Sequence, residues 1–203
     1  MTVASLTVFT DFVQSSGKRR TGKVKAAVRQ QTPAYSKDGD YYRLLRGRVI
    51  SYIRRKRTYK ELLDVVDLAK QGHKKKNYRE CLASVSRMMA NHSITWVGTL
   101  KGLWECGSLS VRVNPEFVVS LDGKLYATRM YFRKDELSDV GKGCILFLIN
   151  NIIADSNCDY SPAIWDIRRE MIITESSVKL LPISLMQAEA SAFEMLWNEL
   201  SAA

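Results

Sequence analysis

Four times along this chain, tyrosines stand beside clustered cations. Arg43 and Arg46 follow Tyr41 and Tyr42, and Arg54, Arg55, Lys56 and Arg57 lie between Tyr52 and Tyr59. Lys74, Lys75 and Lys76 precede Tyr78, while Arg129, Arg133 and Lys134 flank Tyr131. Lysine and arginine neutralise phosphates and an exposed tyrosine can stack on an unpaired base, so this pairing points to nucleic acid. A second set is acidic. Glu105, Glu116 and Asp122 fall in one strand-forming region, and three carboxylates brought together could hold a divalent ion for hydrolysis.

Other chemistry finds little support. Cys81, Cys106, Cys144 and Cys158 are separated in turn by 24, 37 and 13 intervening residues. None of these spacings makes the close pair of a zinc knuckle or a redox motif. His73 and His92 are the only histidines, and neither has a second histidine at helical spacing. Phosphate-loop, dinucleotide, zincin and serine-hydrolase motifs are absent. No metal, no cofactor and no catalytic residue is therefore expected.

Charge strengthens the nucleic-acid reading. The chain has 203 residues and a net charge of +10, unevenly placed. Residues 1–134 hold 27 basic and 10 acidic residues, and residues 135–203 hold 4 and 11. A positive field of this size favours a polyanion, and the acidic C-terminal part offers a face to a protein partner. The longest apolar stretch, Cys144 to Ile149, is far shorter than the roughly 18 residues of a membrane span. Residues 1–13 carry Asp11 within their apolar run and lack a basic leader. A soluble, cytoplasmic protein without a membrane partner is expected.

The elements that must position these groups follow from periodicity. Residues 1–16 supply a strand or short helix, and residues 22–31 a weakly held helix. Tyr41, Leu45, Val49, Tyr52 and Ile53 form one helical stripe, with Arg43, Arg46 and Arg54 largely off it. Thr58 and Glu61 form a capping box, and Gly72 reads as a stop. Asn77 and Glu80 repeat the capping pattern, which predicts a helical hairpin displaying His73 to Lys76 in its loop. After Ser93 the period becomes two. Ile94 to Val97, Trp104 to Val113, and Phe117 to Leu121 read as strands, and Asp122-Gly123 turns the chain into a returning strand, Leu125 to Arg133. Ser138 caps a helix to about Ile152 whose stripe is Cys144, Ile145, Leu148 and Ile149. One or two strands span Ala163 to Thr174. Pro182 precedes a helix from Leu185 to Leu200, with Phe193, Leu196, Trp197 and Leu200 inward and Glu189, Glu194 and Glu199 outward. The fold class is α+β: a basic N-terminal helical segment, 1–57, followed by an α+β core, 58–203, with an antiparallel meander and flanking helices, expected as one compact domain overall.

Three short segments carry a resemblance. Asn114-Pro115-Glu116, Asp122-Gly123 and Arg129-Met130-Tyr131-Phe132-Arg133-Lys134 resemble the N-P-E, D-G, K-L-Y-F-K hairpin of a group of uncharacterised bacterial proteins. Asp40 to Arg46 resembles that group's upstream helix, and Asp166-Ile167-Arg168-Arg169 its later D-V-R-R strand. Where the group has lysine in the returning strand, this chain has Arg129. The order helix, meander, helix, strand also resembles the core of the PD-(D/E)xK nucleases. That likeness implies a metal held by acids, with Glu105, Glu116 and Asp122 as the candidates. The D/E-x-K half is missing, because the returning strand offers Thr128-Arg129-Met130.

The sequence thus reads as a nucleic-acid-binding accessory or regulatory protein. Its contacts are Arg43, Arg46, Arg54, Lys74, Lys75, Lys76, Arg129 and Arg133. The alternatives are a protein-interaction module and a metal-dependent nuclease.

Overall fold

The computed structural model describes residues 2–30, 40–55, 58–69 and 71–202. Its class is α+β. Strand β1 (Thr2–Ser5) runs directly into helix α1 (Leu6–Val13), because Ser5 Oγ accepts the Val8 N–H at 3.3 Å and caps the helix. Helix α2 (Gly17–Gln30) packs on α1, and helix α3 (Arg43–Arg55) follows Asp40. Both halves of the Thr58/Glu61 capping box form at α4 (Tyr59–Leu63), and a 3-10 turn, Asp64–Val66, leads toward α5 (Gly72–Asn91).

The expected loop of the helical hairpin is not a loop. His73 to Lys76 make the first turn of α5, and Gly72 begins that helix instead of ending the one before. Lysine is a good helix former, and no glycine or proline separates Gly72 from Asn77, so the second capping pattern had no break to exploit.

Strand β2 (Ile94–Gly98) is followed by β3 (Gly102–Cys106) and β4 (Leu109–Val113). The stretch from Trp104 to Val113, expected as one strand, is folded in two by a turn in which Gly107 has φ +60°. Next come β5 (Phe117–Leu121) and β6 (Lys124–Tyr131), joined at Asp122-Gly123, then α6 (Asp139–Asp155), β7 (Ser161–Asp166), β8 (Met171–Thr174) and α7 (Ile183–Ala202). The meander is interrupted. Strands β2, β5, β6, β7 and β8 lie in that order in one sheet, with β6 and β7 parallel across the α6 connection. Strands β3 and β4 leave for a second sheet, where β4 takes β1 as a parallel partner.

The large sheet separates two apolar cores. Phe117, Val119, Met130 and Trp165 face α3, α4 and α5, while Val118, Ala127, Ile164 and Ile173 face α6. Helix α6 is buried nearly all round, since Leu146 and Phe147 are covered as well as the expected stripe. The reason is that the large sheet, α1 and the small sheet all pack on it. The described residues of the N-terminal segment are divided between the cores. Leu6 to Ala27 pack with α6 and α7, and Leu45 to Ile53 with α5. Helix α2 is correspondingly well held, with Val24 and Ala27 buried. Glu189, expected outward, is covered by α2 and pairs with Arg20. Among the described residues no helix is long and apolar enough to cross a membrane.

Candidate functional site: a cationic helix layer and an arginine cleft

The described residues between 40 and 91, which form the helix layer over the large sheet, include 11 basic and 5 acidic residues. Helix α3 buries Leu45, Val49 and Ile53, which leaves Arg43, Arg54 and Arg55 exposed. The Arg54 guanidinium lies 5.7 Å from the centre of the Trp96 ring on β2. Lys76 is exposed, and Lys74 and Lys75 are half-buried. The Lys74 ammonium sits 4.9 Å from the Tyr41 ring and 5.6 Å from the Tyr78 ring, a cation–π arrangement that holds it on α5. Tyr78 itself is unavailable to a base. Its ring is buried, its hydroxyl donates to the Tyr41 carbonyl at 2.7 Å, and burial pushes its pKa up to about 12.

Arg46 does not share that surface. It turns from α3 into a cleft of about 470 Å³ between α1, α3 and the end of β6. There Arg46 bonds Asp40 at 2.7 Å, and its Nε lies 3.0 Å from Glu116 Oε1. Arg129 donates to the same Glu116 oxygen at 2.6 Å and to Thr7 Oγ1 at 2.8 Å. The other Glu116 oxygen accepts the Met130 N–H at 2.8 Å. Glu116 thus joins the layer on one face of the sheet to the layer on the other. Arg133 bonds Asp11 at 2.6 Å, and Lys23 approaches the same carboxylate at 3.6 Å. Burial works against the Arg133 charge, but the Asp11 hydrogen bond and charge outweigh it and raise its pKa.

The eight expected contact residues therefore fall in two places. Arg46, Arg129 and Arg133 line the cleft, while Arg43, Arg54 and Lys74 to Lys76 lie on the helix layer. The two meet at Tyr41, which lines the cleft and carries Lys74 over its ring.

The three acids are not gathered. Glu105 sits exposed on β3 and accepts from Ser110 at 3.3 Å. Asp122 is six residues along the β5 strand from Glu116, roughly 20 Å at strand rise. It has a structural task there: with φ +50° it makes the turn with Gly123, contacts His92 Nδ1 at 2.7 Å and accepts the Ser93 N–H at 2.8 Å. Those hydrogen bonds, from His92 first and Ser93 next, hold its carboxyl below the usual range. Among the described residues no group of three or more His, Cys, Asp or Glu side chains is placed to hold a metal ion.

Asp166-Ile167-Arg168-Arg169 is also structural in its contacts. Asp166 is buried against Arg169, and Arg168 donates to the Phe132 carbonyl at 2.7 Å and to Asn77, fastening α5 to the end of β6. No protein-family model, curated protein or solved structure matches the chain.

Sequence reasoning missed Thr7, Asp11 and Asp40 as cleft residues. A signal for the first two exists. They are four apart in an otherwise mostly apolar helix, a spacing that puts both on one face, toward whatever polar group the fold brings.

Proposed function

We propose that this chain is a cytoplasmic nucleic-acid-binding accessory or regulatory protein that grips the phosphate backbone with the helix layer of α3 and α5. The observation that carries the reading is the charge of that layer, a surplus of six positive charges among its described residues, displayed through exposed arginines on a well-packed base. Arg43, Arg54 and Arg55 present planar guanidinium forks suited to phosphate oxygens, and nothing in a backbone contact of this kind reads bases. Binding should therefore show little sequence preference.

The test is an electrophoretic shift titrated with salt. Log affinity should fall linearly with log salt, and replacing Arg43, Arg54 and Arg55 by glutamine should lower the slope by about one unit for each phosphate contact removed. Salt-independent binding, or none at low salt, refutes the proposal.

A second reading, a nuclease-like core that binds without cutting, is favoured by one observation. Glu116 opens β5 opposite the backbone of Met130 on β6, and β6 continues through α6 into a parallel strand. At that position two arginines occupy the acid. Cleavage in the presence of Mg²⁺ or Mn²⁺ that is lost on Glu116→Gln would make the chain a nuclease and overturn this reading.

A further inference from the structure

The arginine cleft holds more cation than its own acids neutralise. Arg46, Arg129 and Arg133 line it against Asp11 and Asp40, and with Glu116 and Lys23, which pair with these groups from outside the lining, the network keeps one positive charge in excess. The three acids are not equivalent. The Glu116 side chain is 3% exposed and that of Asp11 14%, whereas that of Asp40 is 43% exposed and its carboxylate touches Arg46 from the solvent side. Arg46 Nε is itself buried beside Glu116, 3.0 Å from its Oε1, without a well-directed hydrogen bond.

We propose that this cleft binds a phosphomonoester, with Arg46, Arg129 and Arg133 as its cationic wall and Asp40 as a tethered carboxylate that fills the phosphate position in the empty protein. The choice of ligand follows from competition. A free carboxylate brings the single charge that Asp40 already supplies at high effective concentration, and gains nothing by displacing it. With Asp40 swung out, the cleft carries two uncompensated charges. A phosphomonoester carries about −1.5 to −2 at neutral pH and three acceptor oxygens, so it matches that excess and can satisfy several arginines at once. Asp40 can move in this way, since its carboxylate is exposed and, among the described residues, its other partner is Tyr42 N–H, at 3.1 Å. The volume, about 470 Å³, accommodates a phosphate with an organic group attached. Tyr41 and Tyr42 supply an aromatic wall for that group, with the Tyr42 ring stacked on Phe132.

Phosphomonoesters come as free mononucleotides or as the 5′-phosphate of a strand, and calorimetry on the full chain separates them. The probes are adenosine 5′-monophosphate, inorganic phosphate, and one short oligonucleotide with either a 5′-phosphate or a 5′-hydroxyl. Wild-type protein should bind adenosine 5′-monophosphate at one site. Asp40→Asn should tighten that binding about fivefold, the worth of an exposed ion pair removed from competition. Arg133→Gln should weaken it about tenfold or more, the worth of a charge-assisted hydrogen bond. Thermal midpoints of both variants near the wild-type value establish that they are folded, as their exposure leads one to expect. A preference for the phosphorylated strand that disappears in Arg133→Gln assigns the site to strand ends, and mononucleotide binding without that preference assigns it to free nucleotides. The hydroxyl strand reports the helix layer alone, so failure there leaves the cleft standing. Absence of binding by adenosine 5′-monophosphate and the phosphorylated strand alike, or affinity unchanged in Asp40→Asn, overturns the proposal.

Discussion

Replacing Glu116 by alanine should destabilise the protein by about 3 kcal/mol, near the lower end of the cost of breaking a buried ion pair. The estimate follows from what the carboxylate leaves behind. Arg129 would lose its acceptor and Arg46 an ion-pair partner, and the Met130 N–H would lose the oxygen 2.8 Å away. Both arginine side chains keep some access to water, 17% and 24%, so part of the lost interaction is recovered by hydration and the upper end of the range is not reached. For a chain of this size each kcal/mol moves the thermal midpoint by about 2–4 °C, so the midpoint should drop by about 6–12 °C. Glu116→Gln retains an acceptor for Met130 and should lose about half as much. Scanning calorimetry and urea unfolding measure both, with Arg43→Ala as a surface control expected within about 0.5 kcal/mol of wild type. A drop under about 2 °C for Glu116→Ala would refute the idea that this carboxylate joins the two layers.

Gly102→Ala should destabilise by about 1–3 kcal/mol in urea unfolding, because the new Cβ would stand 2.6 Å from Ile152 Cγ2 in the packed α6. In thiol labelling of the folded protein at pH 8, Cys158 should react first and Cys144 last. Burial pushes the Cys144 pKa up to about 12 and that of Cys81 to about 11, so labelling of either before unfolding would refute the packing described. Glu170 is held below its ordinary 4.5, first by the Arg87 hydrogen bond, so its contribution to stability is present above that pH and lost as pH falls through the lower folded value. The difference in midpoint between wild type and Glu170→Gln should therefore be visible at neutral pH and vanish in strong acid; a gap that persists would contradict the assignment.

Much of the fold was legible where a local signal forces the chain. Asp122-Gly123 could hardly be anything but a hairpin turn, and Ser138 and the Thr58/Glu61 pair mark helix starts through bonds made within one turn. What escaped was decided at long range. Nothing in Thr2 to Ser5 announces a parallel partner a hundred residues on, and the alternation from Trp104 to Val113 continues across a turn because Gly107 falls where a strand position would. The site divides the same way. That Arg43 and Arg54 sit off the apolar stripe of α3 is written in their spacing. That Arg46, equally off the stripe, meets Glu116 depends on how α3 is seated against the large sheet, and sequence distance says nothing of that seating.

The seat of α2 has a consequence for how the chain acquires its shape. Its buried residues Val24 and Ala27 lie in the core completed by α7, whose Met186 and Phe193 are more than 150 residues later. At a synthesis rate of about 5–20 residues per second, that interval is roughly 8–30 s. During it, α1 and α2 exist without the surface that orders them, and their apolar strip and cations are both open to the surroundings. Contacts of such separation are slow to form because loop closure must precede any gain from burial. Protection of residues 2–30 from a protease during refolding should therefore come last, after the β5–β6 hairpin and the helix layer are already resistant.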